Sequence, residues 1–296
     1  MEAKLYRELY QLVFSTAHPP RRARQQFCDR WIVMMYLWST LHDRPACWAG
    51  DRRNWPDTLA RPLASQSRLS RRLRTPSVIA LIERLLLSVS DRFGIPMVKL
   101  IDSKPLTVGP YTKDEDATRG RLANGYFAKG YRLHVIAHGR APRPRRFTLL
   151  PLNEHDQVGA QILLPTLEGF GGYVAADNAY DSNACHDLAA TTNHQLVAPP
   201  RQCNKGIRDA DYNGAARLRG LDLIDSPLEA CGQPSAFGAA IYGCRQRIES
   251  AFGGLTLAGL GALPAWVRRP RRVALWAAAK LLLYLWRLAE EERLMT

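Results

Sequence analysis

Val98-Lys-Leu-Ile-Asp102 and Gly172-Tyr-Val-Ala-Ala-Asp177 are the two stretches whose reading decides the fold. Each is a short apolar run that ends on an acid, the pattern of a buried strand. Between them, Tyr131, Leu133, Val135 and Ala137 alternate with Arg132, His134, Ile136 and His138, which predicts a strand with one well-buried face. Phe147–Leu150 comes after Gly139, Pro142 and Pro144, so these two strands form a hairpin. Ala160–Leu167 has helical spacing, Ser182–Thr191 reads as a helix, His194–Ala198 as a strand, and Ala239–Phe252 and Val273–Arg293 as helices. From residue 97 the order is strand, strand, strand, helix, strand, helix, strand, helix. This is an α/β pattern that begins with antiparallel pairing. Residues 199–238, rich in Gly, Pro and Asn, give no order.

Upstream, residues 1–95 read as helical. Arg22–His42 is apolar on more than one face and suits a buried helix. Pro45 and Pro56 break the next stretch, and Pro76 opens a helix over Ser77–Phe93. The chain therefore divides into a helical region, 1–95, an α/β region, 96–262, with an insertion at about 199–238, and a C-terminal helix, 263–296.

The 296 residues carry a formal net charge of +14. Such a balance points to a polyanionic partner. Trp31–Trp38 and Val273–Trp286 are the most apolar stretches, and both fall short of the ~20 residues of a membrane span. Glu2, Arg7 and Glu8 interrupt any signal-peptide core. The six cysteines have no C-x-x-C spacing, so reduced thiols in a cytoplasm are expected.

Asp102 and Asp177 sit at the carboxyl ends of predicted strands, where sites form in open α/β sheets. Glu249 is a third acid, on a helix after the irregular segment. Three carboxylates converging from separate elements suit Mg²⁺ or Mn²⁺. The structural alternative for the aspartates is a turn or helix cap. Asp181 rivals Asp177, but it precedes a helix and reads as an N-cap.

Around these acids the chain reads Ile101-Asp102-Ser103, Asp177-Asn-Ala179-Tyr180 and Tyr242-Gly-Cys-Arg245-Gln-Arg-Ile-Glu249. The blocks resemble those of the IS4/IS5-type DDE transposases of bacterial insertion sequences: D-x-(G/A)-(Y/F), then Y-x2-R-x3-E-x6-K. Thr256 stands where that pattern ends in Lys. Lys129-Gly-Tyr-Arg-Leu-His134 is similar to the family as well. The resemblance covers about residues 97–260. It implies an RNase H-like mixed sheet as the catalytic core, with a segment inserted before the Glu-bearing helix. It also implies catalytic, metal-binding roles for Asp102, Asp177 and Glu249, with Mg²⁺ as cofactor and Mn²⁺ able to substitute. The implied activity is cleavage at the ends of an insertion sequence and joining to target DNA, by a homodimer acting on DNA in the bacterial cytoplasm and nucleoid. A nuclease that cuts without joining, and a decayed copy that only binds DNA, are the alternatives.

Spacings of three and four place Tyr242, Arg245 and Glu249 on one face of a continuous helix. Arg245 would clamp a phosphate. Tyr242 would bond the DNA backbone or stack on a base. Lys104, Lys129 and His134 are candidates for phosphate contacts, with solvated strand residues as the alternative. Residues 44–74 hold eight arginines against Asp51 and Asp57. Ser65–Leu73 within them is a candidate second helix of a helix-turn-helix, with Gln66 and Arg68 near its start facing bases and Arg68, Arg71 and Arg72 as DNA-binding candidates. The alternative is a basic helix that meets only phosphates. Arg140–Arg146 is read as a basic hairpin tip.

Overall fold

The computed structural model describes residues 2–17, 26–57, 61–139, 143–201, 208–224 and 236–295. Two compact units are present. One comprises Met1–Phe93, Ala258–Leu260 and Trp266–Thr296, the other Gly94–Leu257 and Gly261–Ala265.

The first unit is helical. It contains α1 (Glu2–Ser15), α2 (Asp29–Leu41), α3 (Gln66–Arg72) and α4 (Pro76–Asp91). Helix α2 is buried from Trp31 through Thr40, which is why its apolar residues cover every face. The helix expected from Arg22 begins at Asp29, after Cys28 in extended conformation, and residues 21–25 lie outside those described. Its tryptophans are satisfied individually. Trp31 Nε1 donates to the Pro62 carbonyl at 2.9 Å and Trp38 Nε1 to the Asn54 carbonyl at 2.8 Å.

The second unit is built on one mixed sheet: β1 (Val98–Thr107), β2 (Thr118–Arg121), β3 (Phe127–His138), β4 (Pro144–Pro151), β5 (Gly172–Ala175) and β6 (His194–Val197). Strand β1 pairs antiparallel with β3 and parallel with β5, and β5 pairs parallel with β6. Strands β2 and β4 both pair with β3, at its beginning and along its later part. A three-stranded antiparallel meander β1-β3-β4 followed by two parallel strands on the other side of β1 is the RNase H-like arrangement. Strand β2 is an addition to the expected order, because Thr-Arg-Gly-Arg shows no apolar alternation.

Helices α5 (Asp156–Leu163), α6 (Asn183–Thr191), α7 (Ala215–Ile224), α8 (Ala236–Gly243) and α9 (Arg247–Leu257) complete this unit, and α10 (Pro270–Met295) belongs to the helical one. One core layer packs Ile101, Ile136 and Val174 of the sheet against Ala160, Leu163, Cys185 and Ala189 of α5 and α6. Glycine at 159 permits this approach, because a Cβ there would stand 2.3 Å from the His134 ring. Of the proposed insertion, α7 and the residues around it are described, whereas 202–207 and 225–235 are not.

Three local expectations are corrected. The helix foreseen over Ala239–Phe252 is two helices, α8 and α9, joined by a 3-10 turn at Cys244–Gln246 that begins just after Gly243. Glycine is a poor helix former, and a 3-10 insert locally tightens the turn. Asp181 is not the N-cap of α6. Ser182 is, its hydroxyl accepting from the Cys185 amide. Asp181 is instead fully buried, held by Arg217 Nε at 2.7 Å and Nη2 at 2.6 Å, with His186 Nε2 at 3.4 Å. Arg145 and Arg146 do not point from a solvated tip. Both are paired with Glu168, and Arg145 is buried. The rest of that tip, residues 140–142, lies outside the described residues.

The Asp181–Arg217 pair generates a stability prediction. Burial opposes the ionised carboxyl, but His186 and Arg217 overcome it and hold the group down to about 2, below its ordinary 3.8. Its contribution is present above about pH 4 and is lost as pH falls toward 2. Asp181→Asn leaves a buried guanidinium without its charge partner and should cost about 3–5 kcal/mol at neutral pH. Urea unfolding followed by far-ultraviolet circular dichroism measures this. A loss below about 1 kcal/mol, the worth of a simple cap, would contradict it.

Candidate active site

The parallel register of β1 and β5 runs Val98↔Tyr173, Lys99↔Val174, Leu100↔Ala175. Continued by two residues, it sets Asp102 opposite Asp177; the strand expected to stop at Asp102 runs on to Thr107 through its pairing with β3, so Asp102 lies midway along β1, beside the carboxyl end of β5. Asp177 lies just past β5 and caps a 3-10 turn at Asn178–Tyr180, its Oδ1 accepting from the Ala179 amide at 2.9 Å. Asp102 Oδ1 accepts from the Ser103 amide at 2.7 Å. Each carboxylate thus has one oxygen fixed by backbone. Its other oxygen takes no hydrogen bond among the described residues, and Asp177 Oδ2 lies 3.9 Å from Arg245 Nη2.

Burial pushes the Asp102 carboxyl up to about 7, and the like charges of Asp177 and Asp156 add to this. Burial raises Asp177 also, against its backbone hydrogen bond and Arg245. Two hard carboxylates set side by side, each with one oxygen not engaged by backbone, are suitable donors for a divalent ion. Mg²⁺ commonly takes one or two protein carboxylates and completes its shell with waters and phosphate.

Asp156, at the start of α5, has no signal in the sequence motifs. Its Oδ1 accepts from Ser103 Oγ at 2.5 Å and Arg132 Nη1 at 3.1 Å, and lies 3.8 Å from His134 Nδ1. His134 is completely buried, and desolvation lowers it to about 4, so it is neutral near pH 7. It is therefore a packing residue of β3 rather than a charged phosphate contact. Arg132 likewise faces Asp156 and also donates to the Leu152 carbonyl. Tyr180, buried beneath the carboxylates, is raised well above its ordinary value by burial and by Asp156, Asp102 and Asp177, so its hydroxyl stays protonated. Asp156 is hidden from a sequence reading because its partners lie 53 and 24 residues away along the chain.

Tyr242, Arg245 and Glu249 fall on three successive elements: α8, the 3-10 turn and α9. Arg245 is brought to Asp177. Glu249 is exposed in the first turn of α9. Among the described residues no three His, Cys, Asp or Glu side chains stand together as a metal-holding group, so Glu249 is not gathered with the two aspartates here. Lys104 shares a strand face with Asp102. Its Nζ donates to Thr256 Oγ1 of α9 at 2.7 Å, and desolvation lowers its pKa. Lys129 lies on β3, in register with Arg119 of β2.

The remaining candidates belong to the helical unit. Arg72 pairs with Asp29 and donates to the Phe27 carbonyl at 2.9 Å, with both charged groups largely buried. Arg68 bonds Gln26 and lies over the Phe27 ring. Arg71 is exposed. Helix α3 has only seven residues.

A sequence profile of the family described as Transposase DDE domain matches residues 94–286. No curated protein matches the chain in sequence at a significant level. Among solved structures, the chain is similar to a cryo-EM structure of a piggyBac transposase synaptic complex with hairpin DNA, at 10% identity and a TM-score of 0.49, over 98% of this chain and 73% of that chain. No helix among the described residues is long and apolar enough to cross a membrane.

The paired aspartates give a direct titration prediction. In the metal-free protein the Asp102 carboxyl should titrate near pH 7, followed by carbon-detected nuclear magnetic resonance. Asp177→Asn removes a like charge and should lower that midpoint. Because the folded chain holds this proton more tightly than the unfolded one, Asp102 should also erode stability as pH rises from about 4 to about 7. An Asp102 midpoint below about pH 5, or one unmoved by Asp177→Asn, would contradict the pairing.

Proposed function

The chain belongs to the transposase DDE domain family, and from that premise we propose that it is a DNA transposase of the IS4/IS5 type, acting on a bacterial insertion sequence. The reaction is cleavage of a phosphodiester at the element end, followed by attack of the freed 3′-hydroxyl on target DNA. The observation that carries this reading is the convergence of Asp102, midway along β1, with Asp177, just past β5, each with one oxygen that takes no hydrogen bond from the described residues.

In this reading Asp102 and Asp177 hold Mg²⁺, for which Mn²⁺ can substitute, and Glu249 is the third carboxylate. The bound ion supplies activation of water and charge stabilisation in phosphodiester chemistry. The side chains do the rest. Arg245, beside Asp177, presents a planar fork that can clamp a nonbridging phosphate oxygen. Lys104 reaches the Thr256 hydroxyl, the position where the transposase pattern carries Lys. One ammonium is thereby supplied from β1 instead of α9, which supports an active enzyme over a decayed copy. Asp156 holds Ser103, and so the backbone amide that fixes Asp102 Oδ1. Tyr242 is proposed to contact the DNA backbone or a base, and Lys129, Arg68, Arg71 and Arg72 to meet phosphates. Arg72 can do so only by sharing its charge with Asp29. A homodimer on DNA in the bacterial cytoplasm is part of the same reading.

Purified variants tested for Mg²⁺-dependent nicking of the DNA that flanks the gene check this. Asp102→Asn, Asp177→Asn and Glu249→Gln should each lose at least about a hundredfold in cleavage while still binding DNA, a loss typical of removing charge stabilisation. Lys104→Ala should lose roughly tenfold or more. Full cleavage by Asp102→Asn would overturn the mechanism. Nicks without strand-transfer products from the unaltered protein would favour a nuclease.

A further inference from the structure

The β2–β3 hairpin has two unlike faces. Its register is Thr118↔Gly130, Arg119↔Lys129, Gly120↔Ala128 and Arg121↔Phe127. Directly opposed residues share a face, as do residues two apart. Thr118, Gly120, Ala128 and Gly130 therefore form one face. That face is pressed onto the chain at the end of β4: a Cβ at Gly120 would stand 2.5 Å from the Leu152 carbonyl oxygen, and Thr118 Oγ1 accepts from the Asn153 amide.

Arg119, Arg121, Phe127 and Lys129 form the other face. Both arginines are exposed, Lys129 is half-buried, and Phe127 is 66% exposed. Among the described residues none of the three cations has a carboxylate partner or a side-chain hydrogen bond. Arg119 and Lys129 are directly opposed like charges, an arrangement that costs a sheet stability. Elsewhere the fold does pair its cations, as at Arg132–Asp156, Arg145–Glu168 and Arg217–Asp181. A cluster that opposes folding and is left unneutralised beside a bare aromatic ring calls for an external polyanion. The rows Arg121–Phe127 and Arg119–Lys129 are spaced two strand residues apart, about 6.8 Å. That is about two steps of the 3.4 Å rise along one DNA strand.

We propose that this hairpin face is a DNA-binding arm: Arg121 and the Arg119–Lys129 row contact backbone phosphates about two steps apart, and Phe127, opposite Arg121, packs on a sugar or base edge beside them. The proposal deepens the transposase reading and rests on it for the identity of the polyanion. Strand β3 continues from this face past Arg132 to Val135, which is paired with Asp102. The arm thus sits on the same strand that lines the carboxylates, and it grips DNA to one side of the scissile bond.

The test is binding of the full chain to a labelled duplex of random sequence, without divalent metal, across a salt series. Omitting metal separates the arm from the carboxylate site. The variant with Arg119→Gln, Arg121→Gln and Lys129→Gln together should flatten the log affinity against log salt plot by about 2–3. It should weaken binding at least tenfold near 0.1 M salt. Arg119→Glu creates a cross-strand ion pair with Lys129, so it should bind DNA more weakly yet unfold at the same or a higher temperature than the unaltered chain. Phe127→Trp should show fluorescence quenched by DNA beyond that of the unaltered chain. Unchanged salt slope and affinity in the triple variant overturn the arm while leaving the carboxylate mechanism standing. Failure of the unaltered chain to bind DNA overturns both.

Discussion

The parallel pairing of β1 with β5 is the constraint on which the site depends. It places two aspartates, 75 residues apart in the chain, side by side where β5 ends against the middle of β1. Holding them there requires the antiparallel meander that fixes β1 from its other edge, and the α5–α6 layer that covers one face. Gly159 lets α5 approach the ring of His134 on β3. The same helix carries Asp156 to Ser103 and Arg132. Packing and electrostatics are therefore a single arrangement: the helix that seals the core also orders the residue next to Asp102.

The net charge of +14 points to a polyanionic partner, yet it does not locate a binding surface. Part of the basic charge is spent internally. Arg72, Arg132, Arg145, Arg146 and Arg217 are all held by carboxylates within the fold. Burying a charge is costly unless it is paired, so these arginines specify the fold. Among the described residues, the cations of the β2–β3 hairpin and exposed ones such as Arg71 keep charge to offer a ligand.

The strands leading to Asp102 and Asp177 were legible because an apolar run stopping at an acid is a local signal, but the extension of β1 through Ser103 and Lys104 to Thr107 was not, since it follows from pairing with β3. The hairpin of β3 and β4 was legible from alternation and from the glycine and prolines between its strands. Strand β2 was not, since Thr-Arg-Gly-Arg draws its place from pairing with β3 and not from burial alternation. The break between α8 and α9 was equally hidden, because Ala239–Phe252 carries no proline and its spacing is helical throughout. Asp156 and Asp181 escaped for another reason. Their partners, Ser103 and Arg132 in one case and Arg217 in the other, are distant in sequence, and no local pattern announces such a pair. The blocks carrying Asp177, Arg245 and Glu249 were readable as blocks, but that Arg245 meets Asp177 while Glu249 stays exposed needed three dimensions.

The claim at the centre of this account is that Asp102 and Asp177 together form a cation site before DNA arrives. Electron paramagnetic resonance of Mn²⁺ titrated into the DNA-free protein tests it most directly. The account predicts a bound-ion signal that saturates with the protein, strengthens from pH 6 to pH 8 as the raised Asp102 carboxyl gives up its proton, and disappears in both Asp102→Asn and Asp177→Asn. Mn²⁺ binding that is unchanged in either variant would contradict it.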